Sequence, residues 1–131
     1  MEFSDLQESF DTLNDPDRVL LTGTRAYGPV TEDSDYDVVM LYQDAKAICN
    51  LLMLLNVKMM DSRHIDPAYK GFYFKLNELE KVQIIVADTE QEFTAWKRTT
   101  EQMKKEPPIE DREKRIECFK SLFHILLDAK R

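Results

Sequence analysis

Asp35 and Asp37 are the residues of this chain whose type and spacing lend themselves most readily to chemistry. On an extended strand, residues two apart project to one face, so the pair presents two carboxylates together while Tyr36 points away. Such a pair is hydrated, hydrogen-bonded or metal-bound. Mg²⁺ is commonly held by one or two carboxylates together with the phosphates of a substrate, and an Asp-x-Asp at a strand end supplies that geometry. Taken alone, the tripeptide reads as an acidic turn ahead of a strand, and its context changes that reading. Upstream, Gly23-Thr24 follows the apolar run Val19-Leu20-Leu21. A glycine there lets backbone amides approach a phosphate with no Cβ in the way, a following helical turn aims its N–H groups at the anion, and Thr24 adds a hydroxyl donor. By itself, Gly-Thr is also an ordinary turn or cap.

The elements that must position these residues are legible from hydrophobic period. Phe3, Leu6, Phe10 and Leu13 recur at helical spacing, with Ser4 and Gln7 as a capping box, and Asn14-Asp15-Pro16-Asp17 is turn chemistry. Val19 to Leu21 then predicts a short buried strand ended by Gly23. Asp35 to Tyr42 predicts a second strand, whose run Val38-Val39-Met40-Leu41 is apolar on both faces and therefore central in a covered sheet. Ile48, Leu51, Leu52 and Leu55 predict a helix from Asp44 to about Asn56. Residues 57 to 69 carry no clear period, although Val57, Met59 and Met60 suit a strand. Gly71 to Leu76 and Val82 to Val86 predict two strands joined by the turn Asn77 to Lys81. Thr89 with Glu92 is a capping box ahead of Phe93, Trp96, Thr100 and Met103, and Pro107-Pro108 ends that helix. A last helix is expected with Pro108 in its first turn, Glu110 and Asp111 at its positive end, Ile116, Phe119, Phe123 and Leu126 on one face, and Lys130-Arg131 closing it.

The expected architecture is a single α/β domain over 1–131, a mixed β-sheet flanked by helices with a core at about 18–88 and extra C-terminal helices at about 89–131. At 131 residues the chain suits one hydrophobic core rather than two. Its net charge of −7 repels a polyanion, which makes long nucleic acid a poor partner, yet a small anion sees its pocket and its metal ion rather than the sum over the surface. No apolar run approaches the roughly 20 residues that span a bilayer, and Met1-Glu2-Phe3-Ser4-Asp5 lacks the plan of a secretion signal, so a cytoplasmic, non-membrane address is expected. Cys49 and Cys118 lie in apolar stretches and are read as core, and His64 and His124 have no metal-ligand spacing, which speaks against zinc.

Strand, Gly23-Thr24, a short helical turn, a polar loop and an Asp-x-Asp strand together resemble the DNA polymerase β-like nucleotidyltransferase superfamily, and most of all its minimal single-domain members. That family shows Gly followed by a small residue, a loop of about ten residues, then Asp-x-Asp; here Thr24-Arg25-Ala26-Tyr27-Gly28 and Ser34-Asp35-Tyr36-Asp37 carry the likeness, with ten residues between Thr24 and Asp35. The resemblance is concentrated in residues 19 to 42. It implies that Gly23 and Thr24 hold a nucleoside triphosphate such as ATP, that Asp35 and Asp37 are catalytic and ligate Mg²⁺, and that Arg25 and Ser34 touch phosphate oxygens. It also implies nucleotidyl transfer: a hydroxyl of a protein or small molecule attacks the α-phosphorus and pyrophosphate leaves.

The resemblance breaks at the third acid, which active members carry on a neighbouring strand; the corresponding position here is Gln83. An amide is no carboxylate base and brings no negative charge. Asp88, Asp61 and Asp66 are candidate substitutes. Asp88 falls an odd number of residues from Gln83, on the other face of an unbroken strand, and equally suits a helix cap. Lys75 is read as a solvated strand lysine, Trp96 as core, and Glu110–Lys114 and Asp111–Arg115 as pairs on a solvated helix face. Two rival expectations follow. One is a catalytically weakened nucleotide-binding or regulatory protein; the other is a protein acting through a helical partner protein, which minimal members often have. Self-association as a homo-oligomer is left open.

Overall fold

The structure is a computed structural model that describes residues 1–11, 18–32, 34–60 and 70–128. Leu13, the turn at 14–17, Asp61, His64, Asp66, Lys130 and Arg131 lie outside the described residues. The elements run α1 (Phe3–Asp11), β1 (Val19–Thr22), α2 (Thr24–Tyr27), β2 (Tyr36–Leu41), α3 (Tyr42–Leu54), β3 (Lys58–Met59), β4 (Gly71–Lys75), β5 (Lys81–Ala87), α4 (Glu90–Lys105) and α5 (Arg112–Asp128). The strands form one mixed sheet in the order β1-β2-β5-β4-β3. Only β2 and β5 are parallel; the other three pairs are antiparallel.

The alternation of β2 and β5 divides the core in two. Val38, Met40, Val82 and Ile84 face α1 and α3, packing with Leu6, Ile48, Leu52 and Phe74. Val39 and Ile85 face the opposite way, against Trp96 and Met103 of α4 and Phe119 of α5. Both faces of the sheet are covered, as the two-sided apolar run of β2 requires. Trp96 is core as expected, its ring 5.1 Å from that of Phe119 and 5.2 Å from that of Phe123. Cys49 is buried and Cys118 half-buried, both as free thiols, and burial pushes the Cys49 thiol up to about 11, which leaves it inert.

Caps explain where the observed helices depart from the expected ones. At α1, Ser4 and Gln7 do not form the capping box; the helix starts at Phe3 and the Asp5 carboxylate reaches back to accept from the Glu2 amide at 2.9 Å. Helix α3 begins at Tyr42, directly after β2, and ends where Asn56 takes φ 58°. The amide of Val57 then returns to Leu52 O (2.9 Å) and that of Asn56 to Met53 O (3.0 Å), closing the helix in a Schellman turn. At α4, Thr89 caps Glu92 N at 3.1 Å as expected, while the Glu92 carboxylate takes the amide of Asp88. At α5 the expected start is corrected: Pro108 precedes the helix, and Asp111 caps it by accepting from the amides of Glu113 and Lys114. The pair Asp111–Arg115 is replaced by Arg115 donating to Ile109 O at 2.9 Å. No helix among the described residues is long and apolar enough to cross a membrane.

Candidate functional site

Strand β1 ends at Thr22, and the chain turns at Gly23 with φ 71° and ψ −163°, a left-handed backbone that favours glycine. A second constraint acts on the same residue. A Cβ at Gly23 would stand 3.1 Å from Cγ of Asp37 and closer still to its Oδ2, so the Asp37 carboxylate fills the space that a side chain would occupy. Antiparallel pairing of β1 with β2 causes this, because it sets Thr22 opposite Asp37 and delivers the glycine turn to the carboxylate. Thr24 opens the single helical turn α2, whose later amides at Ala26 and Tyr27 both return to Gly23 O. The amides of Thr24 and Arg25 stand ahead of those ladder bonds, in the positions that lack intrahelical acceptors.

The register extends the site across the sheet. Thr22 of β1, Asp37 of β2, Gln83 of β5 and Tyr73 of β4 occupy one rung, because Thr22 pairs with Asp37, Asp37 with Gln83 and Gln83 with Tyr73. Directly paired residues project to the same face, which here is the α4 side. At one end of the rung Thr22 is buried, sharing a hydrogen bond of 2.7 Å with Thr100 of α4. At the other end the Tyr73 hydroxyl donates to Asp35, reaching back past Gln83. Asp35 and Asp37 are thus brought together as the sequence predicts, and Tyr73 joins them.

Electrostatics mark Asp37 out. Its pKa is raised from 3.8 to about 7, first by burial and then by the negative charge of Asp35. Among the described residues no cationic side chain pairs with it. Tyr73 is held well above the usual phenol range, first by burial, then by its bond to Asp35 and by the charges of Asp35 and Asp37. Gln83 lies beside Asp37 at the position expected for a third acid, and its Nε2 is buried without a hydrogen-bond partner.

Asp88 is not a substitute acid. It follows β5, five residues beyond Gln83, about 16 Å along the strand at about 3.3 Å per residue. Its carboxylate instead pairs with Lys70 at 2.6 Å, and Thr89 rather than Asp88 caps α4. Lys75 pairs with Glu78 at 3.2 Å, in keeping with a solvated strand lysine.

Arg25 and Ser34 build the loop between the glycine turn and the Asp-x-Asp strand. The Arg25 Nε donates to Ser34 O at 3.0 Å, and its guanidinium lies 4.5 Å from the centre of the Tyr36 ring. The Ser34 hydroxyl accepts from the Thr31 amide at 2.9 Å. These bonds tie the loop down beside Asp35, so the first role of both residues is to hold the aspartate end of β2.

A cavity of about 420 Å³ lies beyond α2, lined by Tyr27, Met103, Pro108, Cys118 and Leu122 among others, and includes neither aspartate. Among the described residues no group of three or more His, Cys, Asp and Glu side chains could hold a metal ion. A pair still fits Mg²⁺, which takes part of its shell from water and phosphate.

Tyr73 is the residue that sequence reasoning missed. The available signal was a tyrosine between Phe72 and Phe74 on a strand expected to pair with that of Gln83. Comparison with protein-family models, with curated proteins and with solved structures gave no match.

Proposed function

We propose that the chain is a minimal nucleotidyltransferase of the DNA polymerase β-like superfamily, moving a nucleoside monophosphate from a triphosphate to a hydroxyl of a protein or small molecule. The observation that carries this reading is the contact between the glycine turn and the Asp37 carboxylate, with Asp35 alongside. Strand, glycine, one helical turn, loop and Asp-x-Asp strand occur in the order that the resemblance requires, and their pairing brings glycine and aspartate together.

Roles follow from position. Asp35 and Asp37 would hold Mg²⁺, whose charge offsets the negative charge developing on the phosphates during transfer. Two crowded carboxylates, one of them buried, are a poor arrangement for a metal-free protein and a good one for a cation. Gly23 would let the turn close on the Asp37 carboxylate, and the amides of Thr24 and Arg25 would receive triphosphate oxygens, with the Thr24 hydroxyl as a further donor. Thr22 and Thr100 anchor β1 to α4 and so hold the glycine turn in place.

A second reading is favoured by one observation: Gln83 stands in the rung beside Asp37, and Asp88 is at the far end of β5. On this reading the chain binds a triphosphate with little turnover and acts through a partner. Incubation with each α-labelled triphosphate and Mg²⁺ separates the two. Transfer of label with pyrophosphate release, lost in Asp37→Ala, supports the transferase. Retained nucleotide binding with no release, together with activity gained in Gln83→Asp, supports the weakened protein.

A further inference from the structure

We propose that Tyr73 is a positioning residue that orients the Asp35 carboxylate for a divalent cation; this rests on the reading of Asp35 and Asp37 as a metal pair. Asp35 stands one residue before β2, beyond the ladder that fixes Asp37, so strand pairing does not set the direction of its carboxylate. Side-chain contact must do so. The Tyr73 hydroxyl supplies it from β4, two strands away across Gln83.

The hydroxyl is not explained by packing. Tyr73 is 7% exposed and lies between Phe72 and Phe74, at a position where a phenylalanine would fill the same space in the same strand. What tyrosine adds is one O–H, and a buried O–H needs an acceptor. The acceptor here is a carboxylate that already has a second carboxylate as neighbour, a repulsive setting that an aromatic residue has no packing reason to seek out. A single donor occupies part of one carboxylate and leaves its remaining lone pairs for a cation. Hydrogen-bonded outer partners of ligating carboxylates typically govern metal affinity by roughly 10–100-fold. The rung also shows why the phenol can reach: Gln83 places no carboxylate between Tyr73 and Asp35, where an acid would repel Asp35 and claim the same donor.

The test uses the full chain with Mn²⁺ as the probe, followed by calorimetry. Tyr73→Phe is expected to weaken Mn²⁺ binding by at least about tenfold while its metal-free thermal midpoint and near-ultraviolet dichroism stay close to wild type. Mg²⁺ is expected to shift a phenol band in the wild-type ultraviolet difference spectrum, and that shift to vanish in Tyr73→Phe, a signature that a packing role would not produce. Mn²⁺ affinity in Tyr73→Phe equal to wild type overturns the inference alone. Failure of the wild type to bind Mn²⁺ overturns the metal reading and the inference with it. Should Tyr73→Phe not fold, the wild-type difference spectrum decides: a shift that Asp35→Asn removes supports the proposal, and no shift overturns it.

Discussion

Two aspartates on the same stretch of chain meet opposite treatment. Asp44, in the first turn of α3, is 3% exposed and is embraced by Arg18, whose Nε donates to Oδ2 at 2.9 Å and whose second nitrogen engages Oδ1. Asp37, seven residues earlier, is pressed against Gly23 with another carboxylate beside it and no cation among the described residues. Burial of a carboxylate is costly in both places. At Asp44 the protein supplies the counter-charge from its own sequence. At Asp37 no described side chain supplies it, and on the proposed function a divalent cation would.

The largest effect that would sharpen this contrast is expected from Gly23→Ala. The new methyl collides with the Asp37 carboxylate and meets a φ of 71°, so a stability loss of about 2–4 kcal/mol and loss of metal-dependent nucleotide binding are expected. Denaturant melts and calorimetry read both; a variant that binds as wild type would break the geometry proposed for the turn.

Next comes Arg18→Ala. It leaves Asp44 buried without its partner, and a loss of about 3 kcal/mol is expected, moderated because the Arg18 side chain is itself 41% exposed. Nucleotide binding should be unaffected, since Arg18 touches Asp44 rather than the aspartate pair.

Asp37→Asn should do the reverse. The folded pKa of Asp37 lies above its unfolded value, so the protonated form is the one that folding favours. Its contribution is full below about pH 4 and is lost as pH rises from about 4 through about 7. At pH 8 in the absence of metal, the Asp37→Asn substitution removes that penalty, and a thermal midpoint several degrees above wild type is expected, worth up to about 4 kcal/mol. The gain should shrink at pH 5 and in wild type with saturating Mg²⁺. A midpoint lower than wild type at pH 8 would show that the ionised carboxylate already has a partner.

The smallest effect belongs to the far end of the sheet. Asp88 forms a surface pair with Lys70, and Asp88→Ala should change stability by less than about 1 kcal/mol and leave binding intact.

What the sequence made legible is what depends on local period. Asp35 and Asp37 share a face because of the two-residue strand repeat, and Gly23, Thr24 and β1 follow from a short apolar run closed by glycine. The strand that carries Gln83 was likewise readable from the apolar residues Val82 and Ile84 to Val86 around it, while its reading as the place of a third acid came from the resemblance. Tyr73–Asp35 was not, since it joins residues 38 apart through the order of strands β2, β5 and β4, which no window of sequence contains. Arg18–Asp44 spans 26 residues for the same reason. The misread starts of α1 and α5 have a different origin: Ser4, Asp5 and Asp111 are all good capping residues, and which of several neighbouring candidates caps a helix moves its start, by about two residues at α1 and about four at α5.

The central claim is that Asp35 and Asp37 accept a divalent ion that bridges them to a triphosphate on the glycine turn. Calorimetric titration of the wild-type chain with a non-hydrolysable nucleoside triphosphate, with and without Mg²⁺, tests it most directly when repeated on Asp37→Asn. Binding is expected only with Mg²⁺ and only in the wild type. Equal binding without the ion, or undiminished binding in Asp37→Asn, would contradict it.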